Sequence, residues 1–396
     1  MAHLLDFSCA ISQARSRTDE LFGLLVPGAH YDRPIAERHR NIFYLGHLEA
    51  FDWNQICRGA LGMPSFHPEF DRLFEFGIDP PPGRLPEDRP SDWPTVAEVQ
   101  SYNARVRAGI DRAIAHAPEE VLHIALEHRL MHAETFAYML HNLPADRKCF
   151  RGAPLRGLEQ GGEIQSNRMV EVPAGPATLG KPHDDRFGWD NEYAEHTVAV
   201  QAFAIRSHKV TNGEYLAFVR EGGSPSHFWI QRDGEWLLRT MFGEVPLPLD
   251  WPVYATLDQA SGYAQWKGQA LPTEAQFHRA AYGDPGTEGQ PDFSAENADF
   301  KRWDPEPVTA GRANGLGLKQ MVGNGWEWTS TVFQPFPGFS PFPAYPGYSA
   351  NFFDGQHYVL KGASPRTAAA FLRPSFRNWF RPEYPYVFAT FRTVEN

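Results

Sequence analysis

The stretch LEHRLMHAETFAYML, residues 126–140, reads as an amphipathic helix. His128 and His132 stand four residues apart in it, so they project from one face about one turn from each other. Val121, Ala125, Thr135, Phe136 and Met139 share that face, which therefore points into a core. Two imidazoles on a buried stripe need partners, because an unpaired buried polar group costs roughly 1–3 kcal/mol. Two ordinary hydrogen-bonded histidines meet that need, and so does a metal ion. His47 is the third candidate. It lies in YLGHLEAFDW (44–53), mid-way along an earlier helical stretch, flanked by Leu45, Leu48 and Phe51. Antiparallel packing can bring it opposite the pair. Three histidines leave coordination positions open, as a catalytic metal requires. Imidazole suits iron, zinc, copper or nickel, so the spacing does not name the ion. A set of two histidines and one carboxylate is the nearest competitor. Glu134 points about 160° away from His132, however, and Glu127 points elsewhere. His123 and His141 are also off the face.

Working outward, residues 6–26 and 37–62 are two more periodic stretches. The proline-rich run DPPPGRLPEDRPSDWP (79–94) cannot be a regular helix, because each proline removes a donor and clashes with the preceding turn. It reads as an ordered loop carrying Trp93. Thr95 is an N-cap, with Glu98 at capping-box spacing, and that helix runs to about His116. Pro118 opens the next, which continues to about His141. Four helices in this order predict an up-down bundle over residues 1–145. Residues 143–168 are rich in Gly, Pro and charge without a clean period, and 146–168 is the expected linker. From 169 to 396 the character changes. Short β-like runs (Thr197–Ile205, Tyr358–Leu360) alternate with turns, and short helices are expected at 211–221 and 273–282. The fold class is α+β. In GNGWEWT (323–329) the tryptophans are expected to pack and Glu327 to cap buried backbone amides.

The second half carries a series of long motifs. They are VPAGPATLG (172–180), GWDNEYAEHTVAVQAFAI (188–205), VTNGEYLAFVREGG (210–223), LPTEAQFHRAA (271–281), NGLGLKQMVGNGWEWTST (314–331), YVLKGAS (358–364) and FRNWF (376–380). In this order they resemble the formylglycine-generating-enzyme-like domain, a variant of the C-type lectin fold. With a DinB-like four-helix bundle in front, nearly the whole chain resembles the ergothioneine-type sulfoxide synthases. The resemblance implies that His47, His128 and His132 bind a non-haem Fe(II). It also implies O2 activation there and the joining of a sulfur donor to the imidazole ring of hercynine. Hercynine is cationic at its trimethylammonium, which aromatic faces attract. Asn378 and Trp379 match family residues that hold this substrate, and Phe336, Phe339 and Phe380 add aromatic surface.

Three departures bear on the donor. Relatives that use γ-glutamylcysteine carry an Asp directly after the matching Asn-Trp and an Arg four residues later; here those positions are Phe380 and Tyr384. Arg381 and Glu383 are near, in shifted register. Where relatives have a Tyr-Pro-Gly motif, one tyrosine of which donates a proton, this chain has Phe336 and Phe339; Tyr345 and Tyr348 lie just downstream. Met131 stands inside the HxxxH where relatives often have Gln. A site that has lost both charges no longer prefers an amino-acid thiol. The resemblance thus narrows to the selenoneine-synthase type, whose donor is a neutral selenosugar, with Phe380, Arg381, Tyr384 and Met131 shaping its pocket. Ergothioneine-type chemistry with a thiol donor is the alternative.

Composition sets the outer limits. The chain has 396 residues and a net charge of -11, without the basic footprint of a nucleic-acid binder. No apolar run approaches the ~18 residues of a membrane span, and the N-terminus has no secretory pattern. Cys9, Cys57 and Cys149 are far apart, which suits a reduced, cytoplasmic protein. All three precede residue 150, so a formylglycine-generating oxidase, which needs cysteines in its second domain, is disfavoured. A DinB-type thiol transferase leaves the second domain unexplained, and a lectin-like binding module leaves the histidine pair without a purpose. The ovothiol type is disfavoured because no methyltransferase follows before Asn396.

Overall fold

The computed structural model describes residues 6–75, 84–149, 167–184, 186–283 and 293–395. The chain divides into two compact units, Met1–Gly152 and Ala153–Asn396, the first helical and the second mixed.

Helix starts in the first unit follow from capping chemistry. Helix α1 (Phe7–Phe22) begins where Asp6 accepts a hydrogen bond from the Cys9 amide. Helix α2 (Asn41–Asp52) has all twelve residues buried and leads into a π-helix, Trp53–Ala60. Short α3 (Pro68–Leu73) opens on proline, whose missing N–H is no loss there. Helix α4 (Val96–Ala113) starts with the Thr95–Glu98 capping box, and α5 (Glu119–Asn142) follows Pro118. Helix α1 packs on α5, and α2 packs on both α4 and α5. A helix buried on every side carries no polar face, which is why α2 lies at the centre of this unit.

The expected helix 37–62 is shorter and changes type. Residues before Asn41 are held in a loop, where Arg33 and Arg40 reach the Asp88 carboxylate. The helix expected over 6–26 stops at Phe22, because Leu25 bridges to Lys148 as extended chain. Trp93 is ordered by its indole N–H donating to Asp88 (2.7 Å), whereas 79–83 of the proline-rich run lies outside the described residues. Of the expected linker, residues 150–166 also lie outside them.

The second unit begins with β1 (Met169–Val172), β2 (Gly175–Leu179), β3 (His196–Val200) and β4 (Phe203–Arg206). Helix α6 (Asn212–Arg220) precedes a meander of β5 (Trp229–Arg232), β6 (Glu235–Arg239) and β7 (Glu244–Pro246). Helices α7 (Leu257–Trp266) and α8 (Glu274–Tyr282) follow. The chain then forms β8 (Gly325–Val332), β9 (Tyr358–Ala363), β10 (Asn378–Phe380), β11 (Ala389–Thr390) and β12 (Val394–Glu395). The main sheet has the order β10-β9-β8-β11, antiparallel except for the β8–β11 pair; β1-β4-β12 and β2-β3 are smaller sheets. Each of α6, α7 and α8 starts with a Thr-x-x-Glu/Gln capping box, at Thr211, Thr256 and Thr273. Val172, Ile205, Phe277, Leu318 and Val394 form a core that joins strands to α8.

Buried charge is distributed in compensated groups. Glu327 on β8 is fully buried, and it accepts from Lys209 Nζ (2.5 Å) and Arg392 Nε (3.0 Å). This corrects the expectation that Glu327 caps backbone amides in a turn. The segment is a strand whose backbone pairs with β9 and β11, so the carboxylate answers two cations instead. His278 on α8 is buried, and its Nε2–H donates to the Pro374 carbonyl (3.1 Å). Burial, and secondly Lys361, push its pKa down to about 3.

Two stability predictions follow from these groups. Glu327→Gln leaves two buried cations without a counter-charge and is expected to cost about 3–5 kcal/mol, read from urea unfolding of the full chain. For His278, the unfolded value near 6.5 lies above the folded one. Its neutral form is therefore harmless above pH 6.5, and stability falls as pH drops from 6.5 towards 3, by up to about 1.4 kcal/mol per unit. A His278→Asn chain is expected to show a shallower acid slope over that window.

Candidate metal centre

Helices α2 and α5 meet side by side in the first unit, and their contact brings three histidines together. His47 comes from α2, and His128 and His132 come from successive turns of α5. Each offers a ring nitrogen, and the three nitrogens lie within 4.8 Å of one another. Ring centroids are 5.2 Å apart for His47–His128, 4.9 Å for His47–His132 and 4.5 Å for His128–His132. Neither Glu127 nor Glu134 joins this group among the described residues.

The surroundings fix each ring. His47 Nδ1 lies 2.8 Å from the Phe74 carbonyl. A carbonyl only accepts, so Nδ1 carries the proton and Nε2 carries the lone pair. Phe43 stacks on His47, and Phe51 stacks on His128 at 3.4 Å between centroids. Gly46, next to His47, lets the Phe74 ring approach: a Cβ there would stand 2.6 Å from three of its carbons. His132 keeps a partly exposed edge, while its buried Nδ1 has no hydrogen-bond partner among the described residues. Burial first, and the neighbouring imidazoles second, hold His128 well below the ordinary histidine pKa; His132 is lowered in the same way by burial and by His47. Both rings are thus neutral, the form that ligates.

This donor set fits a metal ion. Two nitrogens bonded to one ion at about 2.1 Å can be at most about 4.2 Å apart. The observed spread needs only a small side-chain closure. An all-imidazole set of three suits iron as well as zinc, copper or nickel.

The other sequence candidates are Met131 on α5 and a set of residues in the second unit. Met131 is partly exposed on α5. In the second unit, Asn378, Trp379 and Phe380 form β10, so Trp379 faces the opposite side from its two neighbours. Trp379 stacks on Phe333 (4.3 Å, 9°) and contacts Tyr348 and Phe352. Phe339 reaches this cluster through Phe353. Phe336 is linked to it through the Arg377 guanidinium, which lies over both Phe336 and Phe333, and it also packs against His196. Phe380 and Tyr384 form a separate pair, stacked at 5.4 Å and 5°. The Arg381 carbonyl accepts from the Tyr384 amide, closing a turn between them. Phe333, Tyr348 and Phe352 were not singled out with Trp379 by sequence, since only folding brings them to it.

Comparison with known proteins places the sequence among relatives. Residues 158–396 match the Sulfatase-modifying factor enzyme 1-like domain family. The hercynine oxygenase of Mycobacterium tuberculosis is 35% identical over 75% of this chain and 77% of its own length. The chain belongs to the ergothioneine-type branch of the sulfatase-modifying factor enzyme 1-like family. The hercynine oxygenase of Mycolicibacterium smegmatis is 32% identical over 82% of this chain and 83% of its own. Ergothioneine biosynthesis protein 1 of Neurospora crassa is 28% identical over 92% of this chain, but over 55% of its own length. The chain therefore spans about half of that fungal relative. No described helix is long and apolar enough to cross a membrane.

If the three rings are ligands, removing one should weaken ion binding. His128→Ala is expected to lose at least about tenfold in Fe(II) affinity, measured by anaerobic titration with metal analysis. Unchanged affinity would exclude His128 as a ligand.

Proposed function

We propose that the chain is a non-haem iron, O2-dependent oxygenase that joins a chalcogen donor to the imidazole ring of hercynine. The observation that carries this reading is the group of three imidazoles whose nitrogens lie within 4.8 Å of one another, two of them held neutral by burial. The names of the relatives, hercynine oxygenase and ergothioneine biosynthesis protein, support the substrate. We read the helical unit as a DinB-like bundle over residues 1–145 and the second domain as residues 169–396, with 146–168 between them.

His47, His128 and His132 would hold the iron, which supplies one-electron chemistry with O2. The electron count suits a sulfoxide product. Forming the C–S bond from a C–H and an S–H removes two electrons, and forming S=O removes two more. One O2 accepts all four, leaving one oxygen on sulfur and the other in water. The Phe43 and Phe51 faces keep water from the sides of two of the rings. The Phe74 carbonyl holds the proton of His47 at Nδ1, so that ring stays in one tautomer. Trp379, backed by Phe333 and flanked by Tyr348, offers the aromatic faces that suit a trimethylammonium group. Asn378, which the resemblance assigns to the same substrate, turns its side chain to the other face of β10, and its Oδ1 accepts from the Trp379 amide.

The ergothioneine-type reaction with a sulfur donor is the reading that the relatives favour. One observation favours a second donor class. Phe380 and Tyr384 occupy the two positions at which thiol-using relatives carry an ion-pairing Asp and Arg, and here the two rings stack on each other. A stacked ring pair with one hydroxyl suits a neutral selenosugar better than a zwitterionic peptide thiol. The test is competition between hercynine-dependent turnover of a selenosugar and of γ-glutamylcysteine. Selenosugar turnover is expected to dominate, and replacing Phe380 by Asp with Tyr384 by Arg is expected to move the preference at least about tenfold towards the peptide thiol. Turnover of the thiol alone by the unaltered chain removes the selenosugar reading, and no hercynine consumption with either donor removes the reaction itself.

A further inference from the structure

Arg129 stands next to His128 on α5 and is 1% exposed. A guanidinium keeps its proton in proteins, so burial requires counter-charges and filled donors. Arg129 finds both on α2. Its Nη2 donates to Glu49 Oε2 (2.8 Å), Asp52 Oδ2 (2.6 Å) and the Leu48 carbonyl (3.1 Å). Its Nη1 donates to Glu49 Oε1 (3.1 Å) and to Thr18 Oγ1 of α1 (3.4 Å). Its Nε donates to Asp52 Oδ2 (3.2 Å). On the far side of Glu49, Arg107 of α4 donates to the same carboxylate at 2.8 Å.

The position of this group along the chain matters more than its strength. Leu48 and Glu49 are the two residues after His47, and Arg129 is the residue after His128. One side chain thus ties α2 to α5 within two residues of a candidate ligand on each helix. The tie also sits at the point where α2 gives way to the π-helix at Trp53. Changes of helix type displace carbonyls from the regular ladder and recur at functional sites. Apolar packing between helices sets register by shape alone and does not hold it through a directional bond. A planar guanidinium forked between two carboxylates and a carbonyl does.

We propose that Arg129, acting with Glu49 and Asp52, is a positioning residue for the metal centre: it fixes the axial register of α2 against α5, so that His47 meets His128 and His132 around one ion. The proposal rests on the reading of the three histidines as metal ligands. Arg129 is not a catalytic residue, because its hydrogen bonds go to α1 and α2 and none to the imidazoles.

The test uses the full chain and Co(II) as the probe. Arg129→Lys keeps the charge and loses the planar fork. It is expected to keep its helix content by circular dichroism, to bind Co(II) about 10- to 100-fold more weakly, and to shift the Co(II) visible absorption band. A folded Arg129→Lys chain with wild-type affinity and band overturns the proposal, because a purely structural role lowers the melting temperature and leaves both unchanged. If Arg129→Lys does not fold, Asp52→Asn, which keeps shape and removes one tie, is read in the same way. Failure of both to fold also overturns it, since the network is then a stability element. The underlying reading is tested separately: if the unaltered chain takes up no Co(II), or His128→Ala takes it up normally, the ligand assignment fails. If the unaltered chain binds and only Arg129→Lys matches it, the positioning role alone fails.

Discussion

Three imidazoles pack against one another inside a helical core, and burial together with the neighbouring rings holds His128 and His132 neutral. Protonating either would put a cation against a neighbouring ring in a largely buried site. Neutral rings in turn present lone pairs that must be placed. At His47 the Phe74 carbonyl takes the one proton and directs the lone pair the other way. At His128 the stacked Phe51 leaves the ring edge as the polar outlet. The centre is therefore defined by exclusion of charge, and its surroundings are aromatic. The charge that this part of the molecule does bury is placed on the flanking face, where Arg129, Glu49, Asp52 and Arg107 satisfy one another. Separating a neutral donor cluster from a compensated ionic one, on the same two helices, keeps the rings unprotonated while still pinning the helices.

The second unit solves a related problem by repeated means. Glu327 lies between Lys209 and Arg392, Glu274 between Arg377 and Lys361, and Glu192 is held by Arg373 and Ser375. Each of these three buried acids is matched to at least one buried or half-buried cation. Such groups contribute little net stability compared with apolar packing, yet breaking any one is costly. They suit a domain with short strands and long irregular connections, where regular backbone pairing cannot fix the loops. Arg377 illustrates the link to the surface: its guanidinium bonds Glu274 and covers Phe336, immediately before the strand that presents Asn378 and Trp379.

Much of this was legible in the sequence where local chemistry decides the outcome. The Thr95–Glu98 box, the start after Pro118 and the shared face of His128 and His132 are short-range statements, and short-range statements are what spacing encodes. The box at Thr256–Gln259 carries the same signal, and it marks α7, a helix not expected from periodicity. Elsewhere the deciding partners are remote in sequence. Glu327 has its cations 118 and 65 residues away, so nothing near it distinguishes a paired carboxylate from a cap. The π-helix after α2 likewise depends on tertiary contacts, since its residues carry no proline or glycine at the change of type. Arg129 sat in view as a charge beside His128 on an otherwise apolar face; only the carboxylates of α2 explain it.

The family resemblance added a different kind of information, because it assigned roles to positions rather than shapes to segments. Its departures are informative in physical terms at Phe380 and Tyr384. A site that reads a zwitterion with an Asp and an Arg rejects a neutral ligand by leaving both charges desolvated and unpaired. Replacing the two by rings that stack on each other removes that penalty without creating a charge that needs an answer. The pair packs ring on ring, and Tyr384 also meets Tyr386 edge to face. Selectivity of this kind is set by what is no longer repelled. On the donor reading proposed above, a neutral, hydroxyl-rich donor would gain from this, and a charged one would lose the two contacts that offset its dehydration.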